Sequence, residues 1–447
     1  MDASLFIILM VALAAANLWI GKKASKSTHT EDDFYLSGRN LKMLPMVLTI
    51  LATQLGGGTI LGAAQEAYVK GWVVLFYPLG TCLGLCLIAM GFGAKLRRMN
   101  ISTISEIFER VYHSRSLRQI SSIFSIVSLF VILIAQGIAA RMFFTAIGFS
   151  ESWVYITFWM ILVLYTVMGG ITAVVNTDIL QVLFIIAAFA ITIVFASFDS
   201  LQPLPFANVS FEQTDVPWIG WLLMPLLFMF IEQDMAQRFF AAKNAKSVTI
   251  GAWVAAGTML VVTLVPIYFG VTAREYGIVV PPGADVLLTS VAATTNTFVT
   301  TIMIAAILMA IISTADTLVC SISSNISYDF SFFHRKNVVW AQGITFVIGI
   351  ASLICSYMFT SVVSVLIFSY ELSVSALFVS VLMGVLGKAP KKSAAWASIL
   401  CGTAGFFVFK FYPVPFPREI LTQALSFGGF GLMSVFGEKK ELAAREI

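Results

Sequence analysis

Runs of about 20 apolar residues recur from one end of the chain to the other, each long enough to cross a hydrocarbon core of about 30 Å as a helix. Backbone at that depth has no water to repair it and must close its own hydrogen bonds, which a continuous apolar run does as an α-helix. Thirteen such runs lie near residues 3–21, 45–69, 71–94, 119–147, 150–169, 171–198, 217–236, 247–271, 294–330, 337–359, 361–386, 393–412 and 418–436. Hydrophobic residues make up 59% of the 447 and charged residues 11%, less than half the roughly 25% charged share of soluble domains. The sequence therefore predicts an all-α polytopic membrane protein with about 13 transmembrane helices. No linker interrupts the series, so residues 1–447 are expected to form one transmembrane domain.

Charge sets the expected orientation. Asp2 precedes the first run while Lys22, Lys23 and Lys26 follow it, the order of a retained helix with its N-terminus outside rather than of a cleaved signal peptide. Threading the runs alternately from there puts 22 of the 27 Lys and Arg on the inner side, including Arg238 in the loop 238–246. The net charge of +4 is then a topology signal, and no nucleic-acid partner is expected. The bilayer is the expected surrounding, and no segment calls for an obligate protein partner.

Enzyme chemistry finds no foothold in the pattern. His29, His113 and His334 fall in expected loops without metal-ligand spacing, and no GxxxxGK[ST] phosphate loop occurs. Cys82, Cys86, Cys320, Cys355 and Cys401 all lie in apolar runs without CxxC spacing, as packing thiols do.

Two of the runs are interrupted. The second reads LATQLGGGTILG through Gly56, Gly57 and Gly58, and each glycine weakens a helix by about 0.8–1 kcal/mol relative to alanine. The seventh, WIGWLLMPLLFMFIEQD, carries Pro225. Four runs intervene, so the same defect opens two five-helix sets that thread the bilayer in opposite directions, 45–198 and 217–386. Paired broken helices in inverted halves mark a transporter's binding site, because unwound backbone at membrane depth persists only where it lines a cavity. Gly56, Gly57, Gly58 and Thr59 are thus candidate solute contacts, with Gln54 and Gln65 flanking them and Gln136 on the fourth run as hydrogen-bonding partners.

Oxygen donors gather on the ninth run. In AIISTADT, Ser313, Asp316 and Thr317 share one helix face with Thr314 beside them. A carboxylate at the bilayer centre costs about 2.5–3.5 kcal/mol, so Asp316 is expected to face protein, water or an ion. Hydroxyls, carboxylate and freed carbonyls make the oxygen set hard cations prefer, and sodium is the natural candidate. On the sixth run, Asp178 and Gln181 either complete a second cation site with Asp316 and Thr317 or line the inner exit. Glu232, Asp234 and Arg238 are expected at the inner interface, as an ion-pair network or a gate. Glu371 falls near mid-membrane, with Arg141 and Glu66 in the outer halves of their runs. Glu371 and Arg141 together suggest a zwitterionic, amino acid-like solute.

The stretch Asp32 to Arg39, the glycine-broken helix, GGITAVVNTDILQ, QDMAQRFFAAK and AIISTADT together resemble the sodium:solute symporter family, over nearly the whole chain and in order. The resemblance implies a LeuT-type five-plus-five inverted repeat, with one extra helix before it (3–21) and two after it (393–436). It also implies a sodium site built from the backbone carbonyls of Ala52, Leu55 and Ala310 and the hydroxyls of Ser313 and Thr314. A second ion at Asp178 and the eighth core helix is implied for some members; here Asp316 replaces one of the usual hydroxyls. The expected activity is sodium-coupled import of a small polar organic solute by alternating access, with amino acids, sugars, sialic acid or a vitamin as solute classes and proton coupling as the rival energy source.

Overall fold

The computed structural model describes residues 3–149, 151–198, 203, 218–281, 284–330, 337–358, 362–387, 391–412 and 414–436, with backbone alone at 3 and 362–368. His334 and most of the loop 199–216 lie outside them. Among the described residues every named element is helical. In chain order these are α1 (Ala3–Ser25), α2 (Glu31–Leu36), α3 (Met43–Gln54), α4 (Ala63–Lys70), α5 (Phe76–Leu87), α6 (Gly93–Arg98), α7 (Glu106–Arg110), α8 (Arg115–Ala146), α9 (Ser152–Phe195), α10 (Trp218–Phe228), α11 (Gln233–Ala241), α12 (Ala245–Glu275), α13 (Val286–Thr294), α14 (Thr297–Asp329), α15 (Val338–Ser356), α16 (Val362–Leu386), α17 (Lys392–Phe411) and α18 (Arg418–Phe436).

Among the described residues eleven spans are long and apolar enough to cross a membrane, where the sequence reading counts thirteen. The difference lies in how breaks join or divide the runs. The 44 residues of α9 would extend about 66 Å at 1.5 Å per residue, twice a hydrocarbon core. Inside α9, Gly170 takes φ 54° and ψ −146°, a left-handed geometry that only glycine adopts cheaply. A Cβ there would collide with the Phe34 carbonyl. The chain folds back at that residue, which is where the sequence separates its fifth and sixth runs. Residues 58–98 likewise form one apolar stretch of 41, turned at Gly71 with φ 70°. The 12 residues of α3 are too few to cross by themselves.

At the centre stands α14, the most enclosed of the candidate spans at 89% buried. It packs against α3, α8, α9 and α11, which carry the residues the sequence singles out. By contrast α1, α17 and α18 expose Ile8, Trp19, Leu400 and Phe436, apolar surfaces that only lipid or another apolar partner covers without penalty. The short α7 begins one residue after Ser105, where Glu106 N donates to Thr103 Oγ1 at 3.2 Å, and ends at Arg110.

Candidate solute and cation site

The first break is narrow. Helix α3 stops at Gln54; Leu55 leaves helical geometry at φ −86°, ψ 45°, and the chain resumes as a single π-turn, Gly58–Gly62, a local widening common at functional sites. The second break opens one turn later than Pro225 suggests. That proline lies inside α10, and the irregular residues are Met229 to Glu232. The chain then restarts as α11, with Glu232 as its N-cap and Asp234 in its first turn.

Helix α14 presses its polar face into the first break. Ser313 Oγ donates to the Ala52 carbonyl at 2.9 Å and the Ala310 carbonyl at 3.0 Å. Thr314 Oγ1 donates to the Thr53 carbonyl at 3.0 Å and to Ala310 O at 3.2 Å. The approach is close because residue 56 is glycine: a Cβ there would stand 2.5 Å from Thr314 Oγ1. Ala52, Ala310, Ser313 and Thr314 thus come together, joined by the Thr53 carbonyl, which the sequence reading does not single out. Leu55 is fully buried at the helix end beside them. Five oxygens from two elements converge here. Turned so that their lone pairs rather than their protons point inward, the two hydroxyls complete a hard-cation donor set.

Asp178, Asp316 and Thr317 also meet, around a cation supplied by the chain. Arg238, expected at a cytoplasmic edge, is instead fully buried. Its guanidinium donates to Thr317 Oγ1 at 2.6 Å, Thr49 Oγ1 at 3.1 Å and the Asp234 carbonyl at 2.8 Å, and pairs with Asp178 at 3.5 Å. Packing causes the difference: α11 is short and wholly buried, so a residue that sequence spacing assigns to the inner rim lies within the helix bundle. Asp178 also accepts from Thr49, and Asp316 from Tyr165. Gln181 is fully buried on α9, one turn from Asp178.

Between the two breaks lies a cavity of about 30 Å³. Gln54, Gly56, Gly58, Thr59 and Gln136 line it, as do Glu232, Asp234, Tyr77 and Tyr370, which the sequence reading did not assign to the solute. Gln54 Nε2 donates to Glu232 Oε2 at 3.1 Å, tying the two breaks together, and Gly57 N donates to Gln136 Oε1 at 3.2 Å. Tyr77 and Tyr370 also line a second cavity of about 110 Å³ with Trp221, Glu371 and Arg418. Their hydroxyls stand 3.4 Å apart, forming a partition between the two cavities. Glu371 lies beyond it, paired with Arg418 at 2.6 Å. Gln65 is exposed, Glu66 pairs with Lys70 at 2.8 Å, and Arg141 sits 5.1 Å from the Tyr357 ring, so none of these three lines the solute cavity.

A family model described as "Sodium:solute symporter family" matches residues 34–402. Human high affinity choline transporter 1 is 25% identical over 437 residues, covering 89% of this chain and 73% of that protein. The osmoregulated proline transporter OpuE of Bacillus subtilis (strain 168) is 24% identical over 347 residues, covering 72% of this chain and 70% of the relative. A Na+-coupled sialic acid symporter, solved in a substrate-bound outward-open state, superimposes with a TM-score of 0.77 at 19% identity, over 96% of this chain and 97% of that one.

Proposed function

Because the chain belongs to the sodium:solute symporter family, we propose that it imports a small polar organic solute with sodium by alternating access about its two broken helices. It is a multi-pass, sodium-coupled transporter of LeuT-type fold and not an enzyme. In our reading sodium sits among the carbonyls of Ala52, Thr53, Leu55 and Ala310 and the hydroxyls of Ser313 and Thr314. The observation that carries this is the closure of Ser313 and Thr314 onto the Ala52 and Thr53 carbonyls. Sodium there would tie α14 to α3 and bias the helix pair toward one arrangement, which is how an ion's binding energy acts on a conformational equilibrium. The solute cavity adjoins the cation site through Thr314 and Gly56, which line it, so occupancy of one site alters the walls of the other.

The repeats are assigned as 45–198 and 217–386, the N-terminus to the outer face and the C-terminus to the inner, and the membrane to the cell's cytoplasmic one. On that orientation Tyr77 and Tyr370 form the outer gate. A potential of 100 mV supplies about 2.3 kcal/mol per charge and a tenfold gradient about 1.4 more. One sodium thus supports a solute ratio of a few hundredfold. The amino acid-like reading drew on Glu371 and Arg141, which sit against Arg418 and Tyr357; the cavity's own residues are the better guide to the solute. A second reading, proton coupling, draws on Asp178 and Asp316, both fully buried. Uptake into proteoliposomes driven by a sodium gradient at fixed pH tests the two: accumulation supports sodium, and accumulation driven by a pH step alone supports protons.

A further inference from the structure

We propose that the solute is a cation that carries an ammonium group and no carboxylate, held between the carboxylates of Glu232 and Asp234 and the rings of Tyr77 and Tyr370. The proposal rests on that cavity being the solute site. Among the described residues that line it, two are acidic and none is basic, and both carboxylates are buried, at 6% and 2% exposure. Arg238 is the nearby cation, but its donors are directed to Thr49, Thr317, Asp178 and the Asp234 carbonyl. Four buried carboxylates, Asp178, Glu232, Asp234 and Asp316, therefore share one buried guanidinium. An ammonium group entering the cavity meets the carboxyl oxygens of Glu232 and Asp234 and no basic side chain among the described residues that line it.

The local fold also disfavours an anionic group. A bare helix N-terminus at this depth would receive a carboxylate through its free amides. In α11 the Met235 amide is taken by Asp234, whose Oδ1 accepts from it at 3.1 Å, and Glu232 stands at the N-cap position with its carboxylate accepting from Gln54. The helix end thus stabilises these two carboxylates, and an incoming carboxylate meets like charge. Two tyrosines, Tyr77 and Tyr370, line the same cavity, with the Tyr370 ring 4.5 Å from that of Phe228. Aromatic faces attract ammonium groups, quaternary ones included, and do little for a carboxylate or a neutral polyol.

The test is thermal unfolding of the purified full-length chain in sodium, titrated with ethanolamine, choline, proline, glucose and gluconate. Ethanolamine or choline is expected to raise the midpoint in sodium and not in potassium, more than the other three. Glu232→Gln is expected to weaken the amine by about tenfold or more while the shift from sodium alone persists. Tyr370→Leu is expected to weaken it as well, whereas Tyr370→Phe retains it. An equal or larger response to proline, glucose or gluconate overturns the proposal, as does silence from both amines or an unchanged amine affinity in Glu232→Gln. Loss of the shift produced by sodium alone in the unsubstituted chain would instead overturn the symport reading.

Discussion

Gly56→Ala puts a methyl group where α3 and α14 meet. The new Cβ would stand 2.5 Å from Thr314 Oγ1, 3.1 Å from its Cβ and 3.2 Å from its Cγ2, so Thr314 or the break must move by several tenths of an ångström. Overpacking of this kind costs about 1–3 kcal/mol, while replacing glycine by alanine returns about 0.4–1 kcal/mol by restricting the unfolded chain. The net effect on stability is a loss of about 0–2 kcal/mol. Sodium affinity should suffer more distinctly, because the displaced atom is the hydroxyl that closes on Thr53 and Ala310. Losing about 1.4 kcal/mol of that interaction is a tenfold rise in the dissociation constant. Gly62→Ala is the matched control, since a Cβ at residue 62 meets nothing within 4 Å. Sodium titrations of the thermal midpoint should give a weakened response for Gly56→Ala and an unchanged one for Gly62→Ala. Equal sodium affinity in the two variants would refute the steric argument and with it the placement of Thr314 as a ligand.

Three further outcomes are expected. Arg238→Met strands Asp178 and Thr317 without their cationic partner and should cost about 3–5 kcal/mol, seen as a large drop in thermal midpoint. Asp178→Asn combined with Arg238→Met should lose less than the sum of the single changes, which a double-mutant cycle of midpoints measures. At Asp285, the N-cap of α13, burial pushes the carboxyl from its ordinary 3.8 up to about 6, although the Leu288 and Leu287 amides pull the other way. A folded value above the unfolded one means its stabilising contribution is complete below about pH 4 and is lost as pH rises toward 6. Asp285→Asn keeps an oxygen for the Leu288 amide and should flatten that part of the midpoint-versus-pH curve.

Much of the site was legible because polar residues inside a lipid-depth run have few bland explanations. Ser313, Thr314 and Asp316 share a face in an otherwise apolar helix, and three consecutive glycines mark a break wherever they fall in the fold. Other residues carry no such mark. Tyr77 and Tyr370 look like ordinary apolar-run aromatics, and only the packing of α5 against α10 and α10 against α16 brings their hydroxyls together. Glu232, Asp234 and Arg238 lie at the inner end of the seventh apolar run and so read as an inner rim, whereas the chain stays helical to Phe228 and restarts within the bundle. Glu371 was read as a solute contact because its partner Arg418 lies 47 residues away, beyond the reach of any local pattern.

The central claim is that sodium binds where α14 closes on the broken α3. The direct measurement is thermal stabilisation of the purified chain by NaCl against KCl at equal ionic strength, with and without the paired change Ser313→Ala and Thr314→Ala. A ligand at 100 times its dissociation constant adds about 2.7 kcal/mol, so the unsubstituted chain should show a clear sodium-specific rise in midpoint and the double variant none. An undiminished sodium-specific rise in the double variant would contradict the account.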